Sequence, residues 1–233
     1  MTSIKATFDL AARAGIARRT EAIFRTSGAF REGHFQLKSG RHGDAYVEKF
    51  AVLSDPAATS ELCGFWAAEL RGDDAPGPLV DLVAGPTTGG LILAFETARQ
   101  LGVRSIFAEE VHAPDGEIRR EFRRGFTIAR GERVLLVDDI LTTGGSLLAM
   151  IPAVESMGGE IVECVVLVDR SGGRATLTSP TTGRTYPLRS LWQLDLPTYE
   201  PGEATCPRCA AGEPAYAPGS TGAAPSPGTA PGA

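Results

Sequence analysis

Lysine is nearly missing from this chain: Lys5, Lys38 and Lys49 stand against twenty arginines among 233 residues. With no lysine behind any glycine-rich loop there is no G-x-x-x-x-G-K-[ST] phosphate loop, and no G-x-G-x-x-G dinucleotide fingerprint occurs either. Cysteine is equally scarce. Cys63 and Cys164 lie inside apolar segments and Cys206 and Cys209 form a CPRC pair, which rules out a disulfide scaffold. The CPRC spacing could be half a zinc site, but no histidine neighbours it in sequence, so a complete site would need a second chain. The pair therefore reads as a loop-stabilising turn. An excess of positive charge is absent too: the net charge is -5 and the pI about 5.3, so no nucleic-acid footprint covers the molecule and any anion site is built locally. No apolar stretch approaches the roughly 18 residues of a membrane span, and MTSIKATFDLAARAG lacks a signal-peptide core. These absences lead to the expectation of a cytoplasmic protein without membrane or nucleic-acid partners.

What is present is a patterned chain with 42% hydrophobic residues, enough for one substantial core. Apolar positions at helical spacing between residues 5 and 30 predict one or two helices ending near Ser27-Gly28. HFQLKSGRHGDAYVEKF follows with strand character. From Asp55 onward helix and strand alternate. Helices are predicted in PAATSELCGFWAAELR, LILAFETARQLG and SLLAMIPAVESMG, and strands in LVDLVAG, SIFAEE, RVLLVDD and EIVECVVLVD. This alternation predicts an α/β fold with a central parallel sheet flanked by helices, which binds its ligand at the carboxyl ends of the strands. Three segments result: 1–54 with N-terminal helices and a small hood, 55–200 as the α/β core, and a Pro/Gly/Ala-rich tail over 201–233, largely disordered after about 220. The arginine-rich stretch VHAPDGEIRREFRRGFTIARG reads either as a solvated β-hairpin or as a flexible arm closing over an anion.

VLLVDDILTTGGSLLAMI carries the chemistry. A buried strand runs into Asp138 and Asp139, two like charges that burden a core edge unless a ligand needs them. Thr142, Thr143, Gly144, Gly145 and Ser146 then lead into a helix, and their backbone N–H groups, hydroxyls and helix N-terminus suit a phosphate monoester. The acidic pair upstream suits sugar hydroxyls or a bound cation, so ribose 5-phosphate satisfies both halves.

VLLVDDILTTGGS resembles the phosphoribosyl pyrophosphate (PRPP) signature of type I phosphoribosyltransferases, and VAGPTTGGLILA resembles their pyrophosphate loop. HFQLKSGRHGDAYVEKF and VLVDRSGG are similar to hood and arginine segments of orotate phosphoribosyltransferases, and CPRC with the following PGS resembles the end of a longer-tailed subgroup. The resemblance spans roughly residues 20 to 220. It implies that Asp138, Asp139, Ile140, Leu141, Thr142, Thr143, Gly144, Gly145, Ser146, Thr87, Thr88 and Gly89 bind PRPP. Lys38, Tyr46, Val47, Thr142 and Arg170 would hold orotate, with Lys38, Asp138 and Asp139 catalytic. Mg²⁺ would come with PRPP near the two aspartates, and Arg119, Arg120, Arg123 and Arg124 would give the arm its anion contacts. A homodimer is implied as well. The chain departs from the family in having Ala108-Glu109-Glu110 and no lysine in the arm, Gly43 in place of a serine, and Thr88-Gly89 where Tyr-Lys is usual. Two other readings are a phosphoribosyltransferase for a purine and a non-catalytic PRPP-binding regulator of the same fold.

Overall fold

Asp55 starts the third helix in a way its sequence dictates. Its Oδ1 accepts hydrogen bonds from the Ala57 and Ala58 N–H groups at 2.9 and 3.2 Å, and Pro56 fills the first helical position, where no N–H is needed. The structure, a computed structural model, describes residues 10–37, 39–71, 77–112, 116 and 118–218. These fall into two compact units, one of Met1–Ala29 with Glu48–Asp195, the other of Phe30–Val47 with the chain from Leu196 onward.

In the larger unit, α1 (Leu10–Thr26), α2 (Lys49–Leu53) and α3 (Pro56–Arg71) precede an alternation of β3 (Leu82–Pro86), α4 (Gly89–Leu101), β4 (Arg104–His112), β5 (Ile118–Glu121), β6 (Arg133–Leu141), α5 (Gly145–Ser156), β7 (Glu160–Asp169), β8 (Thr176–Thr178) and β9 (Thr185–Gln193). The seven strands form one sheet in the order β5-β4-β3-β6-β7-β9-β8. The five central strands run parallel, and β5 and β8 close the edges antiparallel. β6 and β7 are the apolar runs of the sequence, and from Val134 to Val137 and from Glu163 to Asp169 every residue is buried, as helices on both faces require. β9 was not announced by such a run. It alternates exposed and buried residues over much of its length and contains Pro187, so its strand character emerges only against β7.

α3 and β7 match their predicted ranges, and α4 ends at Gly102 in the left-handed conformation (φ 72°) that a helix C-terminus favours. β3 and β6 are neighbours, with β4 on the far side of β3 and β7 on the far side of β6. The strands, all parallel here, are therefore added outward in opposite directions from β3 and β6, and the point between them, where the order reverses, is where such sheets hold ligands.

In the smaller unit, β1 (Phe30–Gln36), β2 (His42–Val47) and β10 (Thr198–Tyr199) form an antiparallel sheet in the order β1-β2-β10, joined by α6 (Pro207–Ala210). One contact here went unannounced and one expectation is corrected. The start of the Ala/Gly/Pro tail is held in place, because Tyr216 bonds the backbone on both sides of Phe35 (Tyr216 N to His34 O, 2.9 Å; Gln36 N to Tyr216 O, 2.8 Å) and sets its ring edge-on to Phe35. Composition cannot reveal that one aromatic has found a partner 181 residues away. The disorder expected after about 220 concerns residues outside the described ones. The CPRC pair is also no mere turn: His34 and His42 come to it through the sheet.

Candidate active site

Both glycine-rich loops emerge from the carboxyl ends of β3 and β6, the two strands flanking the reversal point. The first leaves β3 at Pro86, passes a cis Thr87–Thr88 peptide and enters α4 at Gly89. The second leaves β6 at Leu141 and enters α5 at Gly145. Neither cap residue, Thr88 or Gly144, makes a side-chain N-cap bond; the Gly145 N–H donates weakly to Thr143 Oγ1 at 3.4 Å, and both helix N-termini face the site as anion-binding ends. Gly144 sits at φ 84°, where any side chain would be strained and a Cβ would meet Leu177 and Arg174 at 3.2 and 3.3 Å.

Asp138 and Asp139 lie between these loops. Asp138 Oδ1 accepts the Asp139 N–H at 2.9 Å, and Asp139 Oδ1 accepts the Ile140 N–H at 2.7 Å, so each carboxylate is held by the backbone that follows it. Lys49 Nζ, from α2, stands 2.7 Å from Asp139 Oδ2. Sequence reasoning missed Lys49, although a lysine is a signal in a chain with three. Burial, and next the adjacent Asp139 charge, push the Asp138 carboxyl up to about 7, against the opposing charges of Lys49 and Arg120.

That shift makes stability depend on pH. Between 3.8 and about 7 the folded chain binds a proton at Asp138 that the unfolded chain has lost, so stability falls as pH rises through this window. Thermal unfolding from pH 5 to 8 is expected to show this slope, and Asp138→Asn should flatten it; an unchanged slope would assign the dependence to other groups.

The first loop meets the acidic pair at Gly89. A Cβ there would stand 1.9 Å from Asp139 Oδ2 and 3.2 Å from Leu53 Cδ1, so only glycine lets the first loop approach the carboxylate. Gly89→Ala is expected to displace loop and carboxylate together and to lower kcat/KM about 100-fold, the scale of a 1 Å misplacement of reacting groups. Steady-state kinetics beside a thermal melt distinguishes this from unfolding.

Of the arm arginines, Arg120 reaches the first loop: its Nη1 donates to Thr87 Oγ1 and O at 3.2 and 3.3 Å, and its Nη2 pairs with Glu110 at 3.0 Å. Arg123 pairs with Glu121 and Arg124 with Glu109, both within the hairpin, while Arg119 lies opposite Val111. Arg170 follows the end of β7, and its N–H donates to Leu141 O at 2.8 Å, which sets it beside the second loop. Arg174, also missed from sequence, donates to Thr143 O at 2.9 Å and braces that loop from outside. Tyr46 and Val47 end β2 in the smaller unit, and Lys38 lies outside the described residues.

A family model described as the phosphoribosyl transferase domain matches residues 53–184, which contain both loops and the acidic pair. The chain belongs to the phosphoribosyltransferase family. Among its phosphoribosyltransferase relatives, the orotate phosphoribosyltransferase of Caldicellulosiruptor saccharolyticus is 41% identical over 198 residues, covering 85% of this chain and 94% of the relative. That of Methylobacterium sp. is 43% identical over 202 residues, covering 87% and 95%. The crystal structure of orotate phosphoribosyltransferase from Aeropyrum pernix superposes with a TM-score of 0.58 at 28% identity, covering 74% of this chain and 92% of that one. In this phosphoribosyltransferase the departures seen in sequence lie at identifiable places: Ala108, Glu109 and Glu110 are on β4, and Thr88-Gly89 is where α4 begins at the acidic pair.

Proposed function

We propose that this chain is an orotate phosphoribosyltransferase, transferring the phosphoribosyl group of PRPP to a ring nitrogen of orotate to give orotidine 5′-phosphate and pyrophosphate, a step of pyrimidine biosynthesis. The observation that carries the reading is the approach of the first loop at Gly89 to Asp139, on the strand that leads into the second loop, at the point where the strand order reverses. One loop is suited to a 5-phosphate and the other to a diphosphate, with two carboxylates between them where a ribose would lie.

In this reading Thr142 to Ser146 hold the 5-phosphate, and Thr87, Thr88, Gly89 and Arg120 meet the diphosphate. Asp138 and Asp139 receive the ribose hydroxyls and stabilise the positive charge that grows on the sugar ring as its C1 bond breaks. Arg170 pairs a planar guanidinium with the planar orotate carboxylate, a bidentate match that lysine does not offer. Carboxylate oxygens are the hard donors that Mg²⁺ prefers, so Asp138 and Asp139 would hold an ion bound with PRPP, and that ion would supply counter-charge for the pyrophosphate. The charge orotate brings lies on its carboxylate, so the attacking ring nitrogen sheds its own proton as the bond to C1 forms, to the oxygens of the departing pyrophosphate or to water. Arginine, always charged, serves as counter-charge in an arm without lysine.

Among the described residues no helix is long and apolar enough to cross a membrane. Assembly as a homodimer in the cytoplasm belongs to the same reading, and light scattering on the purified chain checks the dimer. The deciding experiment supplies Mg²⁺, PRPP and orotate and follows loss of orotate ultraviolet absorbance. Turnover of a purine in place of orotate, or PRPP binding without turnover of any base, would overturn the reading.

A further inference from the structure

Far from both loops in sequence, four side chains of the smaller unit converge. The ligating atoms of His34, His42, Cys206 and Cys209 all lie within 4.8 Å of one another. His34 and His42 meet across the β1–β2 pair, where an irregularity of register between Glu32 and Phe35 falls at His34, and their Nε2 and Nδ1 atoms stand 2.7 Å apart. Cys206 precedes Pro207 at the start of α6 and Cys209 follows within its single turn, so one turn of chain presents both sulfurs. His34, His42 and Cys206 are 6%, 8% and 1% exposed, and both cysteines are free thiols.

The distances suit a single ion. Around a tetrahedral zinc with roughly 2.3 Å bonds to sulfur and 2.0–2.1 Å bonds to nitrogen, neighbouring ligand atoms stand roughly 3.3–3.8 Å apart. Cys209 Sγ is 3.3 Å from His42 Nδ1 and 3.8 Å from His34 Nε2, and Cys206 Sγ is 3.5 Å from His34 Nε2. The two imidazole nitrogens, 2.7 Å apart, are closer than in such a complex and must separate slightly to admit the ion. A two-iron cluster with two cysteines on one iron and two histidines on the other would hold sulfur and nitrogen well apart, unlike these mixed contacts.

Two further observations point to a metal. His34 Nδ1 lies 2.7 Å from the Glu213 carbonyl, which can only accept, so Nδ1 carries a proton and Nε2 is the nitrogen that faces the cluster. A backbone carbonyl behind a ligating imidazole is the usual way such a tautomer is set. The unit is also short of apolar packing: of its described hydrophobic residues only Phe35, Ala45, Val47 and Cys206 are buried, and a body of roughly forty residues usually needs a metal or a disulfide to hold together.

We propose that His34, His42, Cys206 and Cys209 bind one zinc ion in a closed, four-ligand structural site. The donor set is that of structural zinc, and with four protein ligands no position is left for water or substrate. The ion ties β1 and β2 to the CPRC turn, joining two stretches of chain separated by more than 150 residues.

The full chain, purified without added metal or chelator, is expected to carry about one zinc ion per chain by mass spectrometry of the elements. A mercurial that blocks thiols should release it, and removing it with a chelator should lower the melting temperature. Cobalt exchanged into the site should give the visible bands of tetrahedral cobalt bound to thiolate. The double variant Cys206→Ser/Cys209→Ser should retain none. Should that variant fail to fold, the zinc content and mercurial release of the parent chain decide the matter alone. Absence of stoichiometric zinc, a mass lower by two hydrogen atoms from a Cys206–Cys209 disulfide, or iron with labile sulfide would each overturn the proposal. None of these readouts depends on orotate turnover.

Discussion

Asp139→Asn is expected to lower orotate turnover by roughly two to three orders of magnitude, the range seen when one preorganised charge or dipole at a reaction centre is removed. The substitution keeps the shape of the side chain and keeps Oδ1 as acceptor for the Ile140 N–H. It deletes the negative charge that Lys49 answers at 2.7 Å and that faces Gly89 of the first loop. The folded chain should melt within a few degrees of the parent, because the Lys49 side chain is 34% exposed and can return its ammonium to water. KM for PRPP is expected to change less than kcat if the carboxylate acts mainly on charge that develops at the sugar. Parent-like turnover would remove Asp139 from the chemistry, and a collapse in melting temperature would give it a structural role instead.

Arg189→Met should act in the opposite way, on stability far more than on the site. Arg189 projects from β9 between Glu163 of β7 and Glu69 of α3. Its Nη2 donates to Glu163 Oε2 at 2.5 Å, its Nε bonds Glu163 Oε1, and its Nη1 pairs with Glu69. The acidic side chains are only 4% and 9% exposed. Removing the guanidinium leaves two buried carboxylates facing each other with the more distant charge of Arg13, and breaking such a group costs about 3–5 kcal/mol. For a chain of this size that is a fall in melting temperature of roughly 10 °C, measurable by calorimetry. Replacing all three residues with apolar side chains of similar volume should recover much of the loss, since the penalty lies in the orphaned charges. A melting temperature unchanged by Arg189→Met would mean that water reaches these carboxylates.

The elements legible from the chain were those whose signals are local. Asp55-Pro56 marked the start of α3, the apolar runs marked β6 and β7, and Gly102 marked the end of α4, because capping, burial on both faces and a left-handed terminus each leave their trace within a few residues. β9 left a weaker trace, being an interrupted alternation with a proline inside it. The acidic pair and the Thr/Gly turn were legible for a related reason: a phosphate cradle is built from consecutive backbone N–H groups, so its chemistry has to be contiguous.

Pairing across the fold has no such local trace. Lys49 finds Asp139, Arg120 finds Thr87, and Arg174 finds Thr143 through the order of the strands and the packing of the helices. The CPRC pair shows the difference most plainly. Its two histidines are 172 and 167 residues away along the chain and hydrogen-bond distance away in space, so reading neighbours in sequence found half a site and the sheet register supplied the rest. By itself the sequence determined the sugar-phosphate grip and the α/β alternation that presents it. Only the tertiary structure decided which charges neutralise that grip, and which four side chains meet at the CPRC turn, because those contacts depend on strand order and register, to which no short stretch of sequence refers.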